Sequence, residues 1–238
     1  MSVVGAWGNR QFRYADPNNK LDSAIREILA GKAYPLPIRP PNYVFDTIVD
    51  VGANVGASAL WFLSQNPRRL VCFEPSAENF AHLQSNLAGL PNVEAHQYGL
   101  FSRDVDVPLY RGKHQNMQNS VVRSVETTDV AETIKLRRAT TAFAELGVDR
   151  ISVLKIDTEG CEVPILADIA ALLPRVDMIY AEYHSEQDRR EIERTLTPQF
   201  VLGFANGKHP HRGVNLYLAN RLVAAVPIYG ALALKRPV

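Results

Sequence analysis

Apolar positions along this chain recur in two different periods, and the switches between the periods mark out its elements. Thr47-Ile48-Val49-Asp50-Val51 is a nearly continuous apolar run of strand length. A run this short, closed by glycine, reads as a strand buried on both faces. Small residues follow, Gly52-Ala53-Asn54-Val55-Gly56, and then a helical pattern over Ala57–Ser64. The alternation repeats with a strand at Arg69–Glu74, a helix at Ala77–Leu87 carrying Phe80, Leu83 and Leu87 on one face, and a strand at Val93–Tyr98. Strands and helices in the order βαβαβ predict a parallel sheet with right-handed crossovers.

Residues 103–140 break that rhythm. Val105–Tyr110, Ser120–Val125 and Thr133–Arg138 read as short β segments between polar turns, an antiparallel insertion spanning about 101–140 near a sheet edge. The βα pattern then resumes with a helix at Thr141–Leu146, a strand at Ile151–Asp157, a helix at Val163–Leu173, a strand at Met178–His184 and a helix at Gln187–Leu196. Strands at Phe200–Ala205 and Val214–Ala219 close the series. The link between them, Asn206 to Gly213, permits only a hairpin, so the last strand must run antiparallel. The expected fold class is therefore α/β, a mostly parallel sheet with an antiparallel seventh strand, over residues 46–220 with a tail at 221–238. Residues 1–45 differ. Leu21 to Ala30 predicts a helix with Leu21, Ile25, Ile28 and Leu29 on one face. The four prolines of Tyr34-Pro35-Leu36-Pro37-Ile38-Arg39-Pro40-Pro41 then exclude helix and central strand. This segment is read as an N-terminal arm, either a lid over a ligand or plain packing.

Composition narrows the uses of such a fold. A chain of 238 residues suits one α/β domain with an accessory segment. Its 26 basic and 25 acidic residues nearly cancel and form no basic stripe, so no nucleic-acid partner is expected. No apolar run approaches the ~20 residues of a membrane span. Met1 to Arg13 lacks the apolar stretch of a secretory signal, and a cytoplasmic protein is expected. Cys72 and Cys161 fit no metal spacing, and Cys72 reads as a small core residue. A homo-oligomer stays open.

Three clusters could carry chemistry. The first is the glycine loop with Asp50 before it and Glu74 24 residues further on. A dinucleotide fingerprint needs glycine at the third and sixth positions, where this chain has Asn54 and Ala57. An acid ending the second strand of a doubly wound sheet can accept from both hydroxyls of a ribose, and Pro75 helps end that strand. The plain alternative is a solvated strand end. Asp50 is read as organising the loop or meeting a cofactor through water. The second cluster is Lys155-Ile156-Asp157-Thr158-Glu159-Gly160-Cys161-Glu162, a buried strand ending in three carboxylates. Ligands lie outside the carboxyl ends of such strands, which favours Asp157, whereas Glu162 fits a helix start decorated with acid. The third is Glu182 and His184, two apart and so on one strand face. His184 could take a proton from a hydroxyl with Glu182 orienting it, and Asp157, Glu182 and His184 could alternatively ligate a divalent metal, a reading not favoured. The histidines of the 206–213 hairpin are read as a solvated tip.

The segments Val49–Gly56, Phe73-Glu74-Pro75, Asn119-Ser120, Arg138–Gly147, Leu154–Glu162 and Ala181-Glu182-Tyr183-His184 together resemble the FkbM family of S-adenosylmethionine (SAM)-dependent methyltransferases. The K-I-D-x-E-G-x-E segment is the most specific part. Thr158 stands where Val is common, and Cys161 where Ala is usual. The resemblance covers about residues 46–220. It implies the Rossmann-like class I methyltransferase fold, SAM as methyl donor, and transfer to a hydroxyl of a small-molecule acceptor such as a sugar, a polyketide or another specialised metabolite. Carried onto this sequence, it assigns Asp50, Gly52, Asn54, Gly56, Glu74 and Pro75 to the cofactor. His184 is then the preferred general base, Glu182 its orienting partner and Asp157 the alternative base. The competing readings are a nicotinamide-dependent oxidoreductase on the same fold and a non-catalytic SAM-binding protein.

Overall fold

The computed structural model describes residues 2–7, 10–15, 22–36, 39–112, 121, 127–209 and 211–226. Strands β1 (Ser2–Trp7) and β2 (Arg10–Ala15) pair as an antiparallel hairpin, and helix α1 (Asp22–Leu29) follows. The main domain then runs β3 (Thr47–Val51), α2 (Ala57–Leu63), β4 (Arg69–Phe73), α3 (Ala77–Leu87) and β5 (Val93–His96). Next come β6 (Gly99–Phe101), β7 (Val105–Gly112), β8 (Thr127–Arg138) and α4 (Ala139–Glu145). The chain continues through β9 (Ile151–Ile156), α5 (Glu162–Asp168), β10 (Val176–Tyr183), α6 (Glu186–Leu196), β11 (Phe200–His209), β12 (Arg212–Ala219) and α7 (Asn220–Ala224).

Seven strands form the main sheet in the order β11-β12-β10-β9-β3-β4-β5. All neighbours from β10 to β5 are parallel, whereas β12 is antiparallel to both β10 and β11. Every residue of β3 and β9 is buried, as expected of strands covered on both faces. Chain order runs outward from β3 through β4 to β5, and in the opposite direction from β9 to β10. Right-handed crossovers therefore put α2 and α3 on one face and α5 on the other. The reversal between β3 and β9 is a switch point, where a crevice opens at the carboxyl ends of the strands. Phe62 and Phe73 are fully buried between these layers, each contributing roughly 2–3 kcal/mol by apolar burial.

The α/β sheet and its antiparallel seventh strand are as expected from sequence. Four details differ. The expected strand Val93–Tyr98 divides after His96, and β6 leaves the main sheet to pair in parallel with β8. The insertion is thus a three-stranded sheet, β6-β8-β7, of which only the β7/β8 pair is antiparallel. The expected β segment at 120–125 lies outside the described residues, apart from Val121. Helix α5 ends at Asp168 instead of continuing to Leu173, and the chain reaches β10 through a short 3-10 turn, Leu173–Arg175. Finally, the β1–β2 hairpin was not read from the sequence, although Gly8-Asn9 between two apolar-rich stretches is a hairpin-type dipeptide. No helix among the described residues is long and apolar enough to cross a membrane.

Candidate active site

Register decides which side chains meet. In β3 and β9, Asp50 is paired with Lys155 and Val51 with Ile156, so the Asp50 and Lys155 side chains share one face. The Lys155 ammonium stands 3.0 Å from Asp50 Oδ1, donates to the Gly52 carbonyl at 2.6 Å and lies 3.7 Å from Asp157 Oδ2. Burial alone would lower the Lys155 pKa, but Asp50 and Asp157 more than offset it and keep the ammonium charged. Ser58 donates to the other Asp50 oxygen at 2.6 Å. Asp50 is fully buried behind the loop, away from the cavity wall.

The loop itself is tightly determined. Gly52 has φ +77°, and a Cβ there would lie 1.8 Å from the Asp157 carbonyl oxygen, so backbone meets backbone at the switch point. Asn54 has φ 50°, a left-handed conformation that Asn tolerates. Gly56 starts α2 at φ 93° and packs beside Leu83 of α3; it shapes the loop without lining the cavity. The loop amides are already engaged. Those of Gly52 and Ala53 donate to the Phe73 carbonyl, that of Asn54 to Glu74 Oε2, that of Val55 to Asn54 Oδ1 and that of Gly56 to the Ala53 carbonyl. The loop therefore offers shape and close approach, but none of these five N–H groups is left for a phosphate.

Glu74 sits just past β4, buried, accepting from the amides of Asn54 at 2.8 Å and Ser76 at 3.0 Å. Burial pushes its carboxyl up to about 7, against the pull of those amides and of the Asn79 side chain. At least one lone pair of the ionised form remains for a further donor.

At the other end of the crevice, Ala181 of β10 is paired with Ile156 of β9, which brings the next residues, Glu182 and Asp157, side by side. Tyr34 of the N-terminal arm donates to Asp157 Oδ2 at 2.6 Å. Burial would raise the Asp157 pKa, but Lys155, Glu182 and Tyr34 outweigh it and hold the carboxylate well below its ordinary range. Glu182 moves the opposite way: burial and the charge of Asp157 push it well above its ordinary range. Arg212 donates to Glu159 Oε1 at 2.5 Å and to Glu182 Oε1 at 3.3 Å. Glu162 accepts from the Thr158 and Gly160 amides and so caps the turn before α5, the local role its position predicted.

His184 is ringed by carboxylates: Glu182 at 3.2 Å, and Glu159 and Glu162 at 3.6 Å each. Burial would lower its pKa, but Glu162 and Glu182 push it up to about 11. His184 is thus an imidazolium at neutral pH, with no lone pair for an incoming proton, and it does not line the cavity. The general base expected at His184 is thus not among the groups that line the cavity. Glu159, Glu182 and His184 bring ligand atoms within 4.8 Å of one another, a possible metal set. Arg212 already supplies the balancing cation there.

These walls enclose a cavity of about 330 Å³, within the size range of small-ligand sites. Gly52, Asn54, Glu74, Pro75, Asp157 and Glu182 all line it. The profile of the methyltransferase FkbM domain matches residues 50–213. The chain belongs to the methyltransferase FkbM family. It is 28% identical over 210 residues to the AMB antimetabolite synthetase AmbE of Pseudomonas aeruginosa, covering 71% of this chain and 10% of that protein. It is 23% identical over 155 residues to the 2-O-methyltransferase NoeI of Sinorhizobium fredii, covering 59% of this chain and 64% of the relative. The solved structure of an FkbM methyltransferase from Methylobacillus flagellatus superposes with a TM-score of 0.53 at 17% identity, over 74% of this chain and 43% of that one. The chain spans less than two thirds of each of these three.

Of the nine residues singled out from the sequence, six line the cavity, whereas Asp50, Gly56 and His184 lie behind its wall. Sequence reasoning missed Arg212 and Asn206, which reach the cavity from the terminal hairpin that had been read as a solvated tip. Leu109, Ile134 and Leu136 of the insertion add an apolar wall. Their alternation in β7 and β8 was the available signal, since residues two apart share a face.

Proposed function

We propose that this methyltransferase takes its methyl group from SAM and delivers it to a hydroxyl oxygen of a small-molecule acceptor. The observation that carries the reading is a glycine loop whose five amides are all engaged, beside a carboxylate on the cavity wall. A dinucleotide's pyrophosphate would find none of those amides free, whereas SAM carries no phosphate and needs a close approach, an acceptor for its ribose and an apolar slot. Glu74 would hold the ribose, Pro75 and Leu100 would flank the adenine, and Gly52 and Asn54 would shape the methionine end. When bound, SAM supplies an electrophilic methyl on a sulfonium.

The chain's own residues then position and deprotonate the acceptor. Asp157 is the ionised carboxylate on the wall, so it accepts a hydrogen bond from the acceptor hydroxyl and orients it; held well below its ordinary range, it passes the proton released on transfer to water instead of keeping it. Glu182 stands beside Asp157 on the same wall, and Arg212 holds it and Glu159 in place. A wall rich in carboxyl, amide and guanidinium groups suits a hydroxylated acceptor. The similarity to a 2-O-methyltransferase supports oxygen as the receiving atom. The test is calorimetric titration with S-adenosylhomocysteine (SAH) on the wild type and Glu74→Ala, then transfer of labelled methyl from SAM to a panel of hydroxylated acceptors. Micromolar SAH binding that collapses in the variant supports the reading. Absence of SAH binding by the wild type overturns it.

A further inference from the structure

Tyr34 lies outside the family segment, 16 residues before its start at Asp50. It is nevertheless buried to 3% exposure and lines the cavity. Its ring packs edge-on against Tyr180 at 5.4 Å and tilted against Phe62 at 5.9 Å, with the Lys155 ammonium 5.7 Å from the ring centre. Its backbone is fastened as well. Trp61 Nε1 of α2 donates to the Tyr34 carbonyl at 2.9 Å, and the Tyr180 hydroxyl donates to the Pro35 carbonyl. Every contact of the ring and main chain thus aims the one polar atom of the side chain at Asp157 Oδ2, 2.6 Å away. A phenol this buried beside a carboxylate stays protonated and can only donate. The arm is therefore more than packing: it supplies a hydrogen bond to Asp157 Oδ2 from outside the family segment.

We propose that Tyr34 is a positioning residue that fixes the Asp157 carboxylate toward the positively charged centre of the bound methyl donor. The proposal rests on the proposed function, in which Asp157 meets the acceptor hydroxyl at the point of methyl transfer. Without the phenol, Asp157 keeps Lys155 and Glu182 beside it but loses the 2.6 Å bond to its Oδ2. A ligand carrying positive charge at that point should notice; a neutral one should not.

Two nucleoside probes separate these cases. SAH is neutral at sulfur, whereas sinefungin carries an ammonium where SAM has its sulfonium methyl. Both are titrated calorimetrically into the wild type, Tyr34→Phe and Asp157→Asn. Tyr34→Phe retains the ring, so its packing on Tyr180 and Phe62 is kept. The expected result is that Tyr34→Phe binds SAH within about threefold of wild type and sinefungin at least about tenfold more weakly, with Asp157→Asn losing the same preference. Equal weakening of both ligands by Tyr34→Phe would make the residue purely structural, and no change in either would detach it from the site; both results overturn the proposal. Should Tyr34→Phe fold poorly, an unchanged preference in Asp157→Asn overturns it independently. A wild type that binds neither ligand defeats the underlying SAM reading instead.

Discussion

Glu74 is the residue whose ionisation should be most visible in binding. Its carboxyl, pushed up to about 7 by burial, can accept from ribose hydroxyls most fully when ionised. SAH affinity should therefore rise between about pH 6 and pH 8 and level off above, following one proton. Glu74→Gln sets an amide N–H₂ against the Asn54 or Ser76 N–H. It should weaken SAH by roughly 10–100-fold, about 1.4 kcal/mol per tenfold, and flatten the pH profile; calorimetry across that range checks both. His184 makes a contrasting prediction. Its folded pKa of about 11 lies above its ordinary 6.5, so its charge stabilises the fold fully below the lower value and the contribution disappears as pH rises through the upper one. His184→Ala should cost roughly 2–4 kcal/mol at neutral pH by removing the cation beside Glu162 and leaving Glu159 and Glu182 to Arg212, and less near pH 11. Urea midpoints at the two pH values decide it. SAH binding should survive the change, because His184 stands behind the cavity wall.

At the scale of elements, the helix and strand ends are joined by few residues with many bonds. Asn86 of α3 is buried and makes three: its amide donates to the carbonyls of Arg13 and Val55, each at 2.7 Å, and its oxygen accepts from the Arg13 amide at 2.7 Å. It thus ties the N-terminal hairpin, α3 and the glycine loop together. Asn86→Ala should destabilise the fold by roughly 2–4 kcal/mol, since three backbone groups lose their partner, and should also weaken SAH binding through the loop. Chemical denaturation alongside titration tests both. The hairpin and the arm show where reading by element stops short. The prolines after Tyr34 exclude regular structure, yet no periodicity tells which cavity an irregular segment will cover. Likewise the apolar alternation of β7 and β8 was visible, but not that its inner face would wall a ligand site.

For the whole molecule, the prediction concerns which ligand the fold selects. A ligand bound only by the native state stabilises by about 2.7 kcal/mol at a hundredfold excess over Kd. For a chain of this size that is a rise of roughly 5–10 °C in Tm. SAH should produce such a rise and NAD should not, because the five loop amides that would meet a pyrophosphate already have partners. Comparable shifts with both ligands would contradict that selection.

The sequence by itself determined the sheet. Buried runs such as Ile48–Val51 and Ile151–Ile156 can be satisfied only as central strands, and the 206–213 link can only reverse direction. It also determined the carboxyl-end residues Glu74, Asp157 and Glu182, because acids closing buried strands can lie nowhere but at the crevice. Tertiary structure decided what those groups do. Whether a carboxyl or imidazole carries a proton depends on neighbours brought from distant parts of the chain: Lys155 beside Asp50 by strand register, Arg212 against Glu159 and Glu182 by the hairpin, Tyr34 on Asp157 by the arm. His184 shows the consequence. Its spacing from Glu182 was local and legible, whereas the carboxylates of Glu159 and Glu162, which together with Glu182 keep it cationic, meet it only once β9, α5 and β10 have packed. Charge in a buried site is a sum over contacts in space, and a linear sequence records only those between near neighbours.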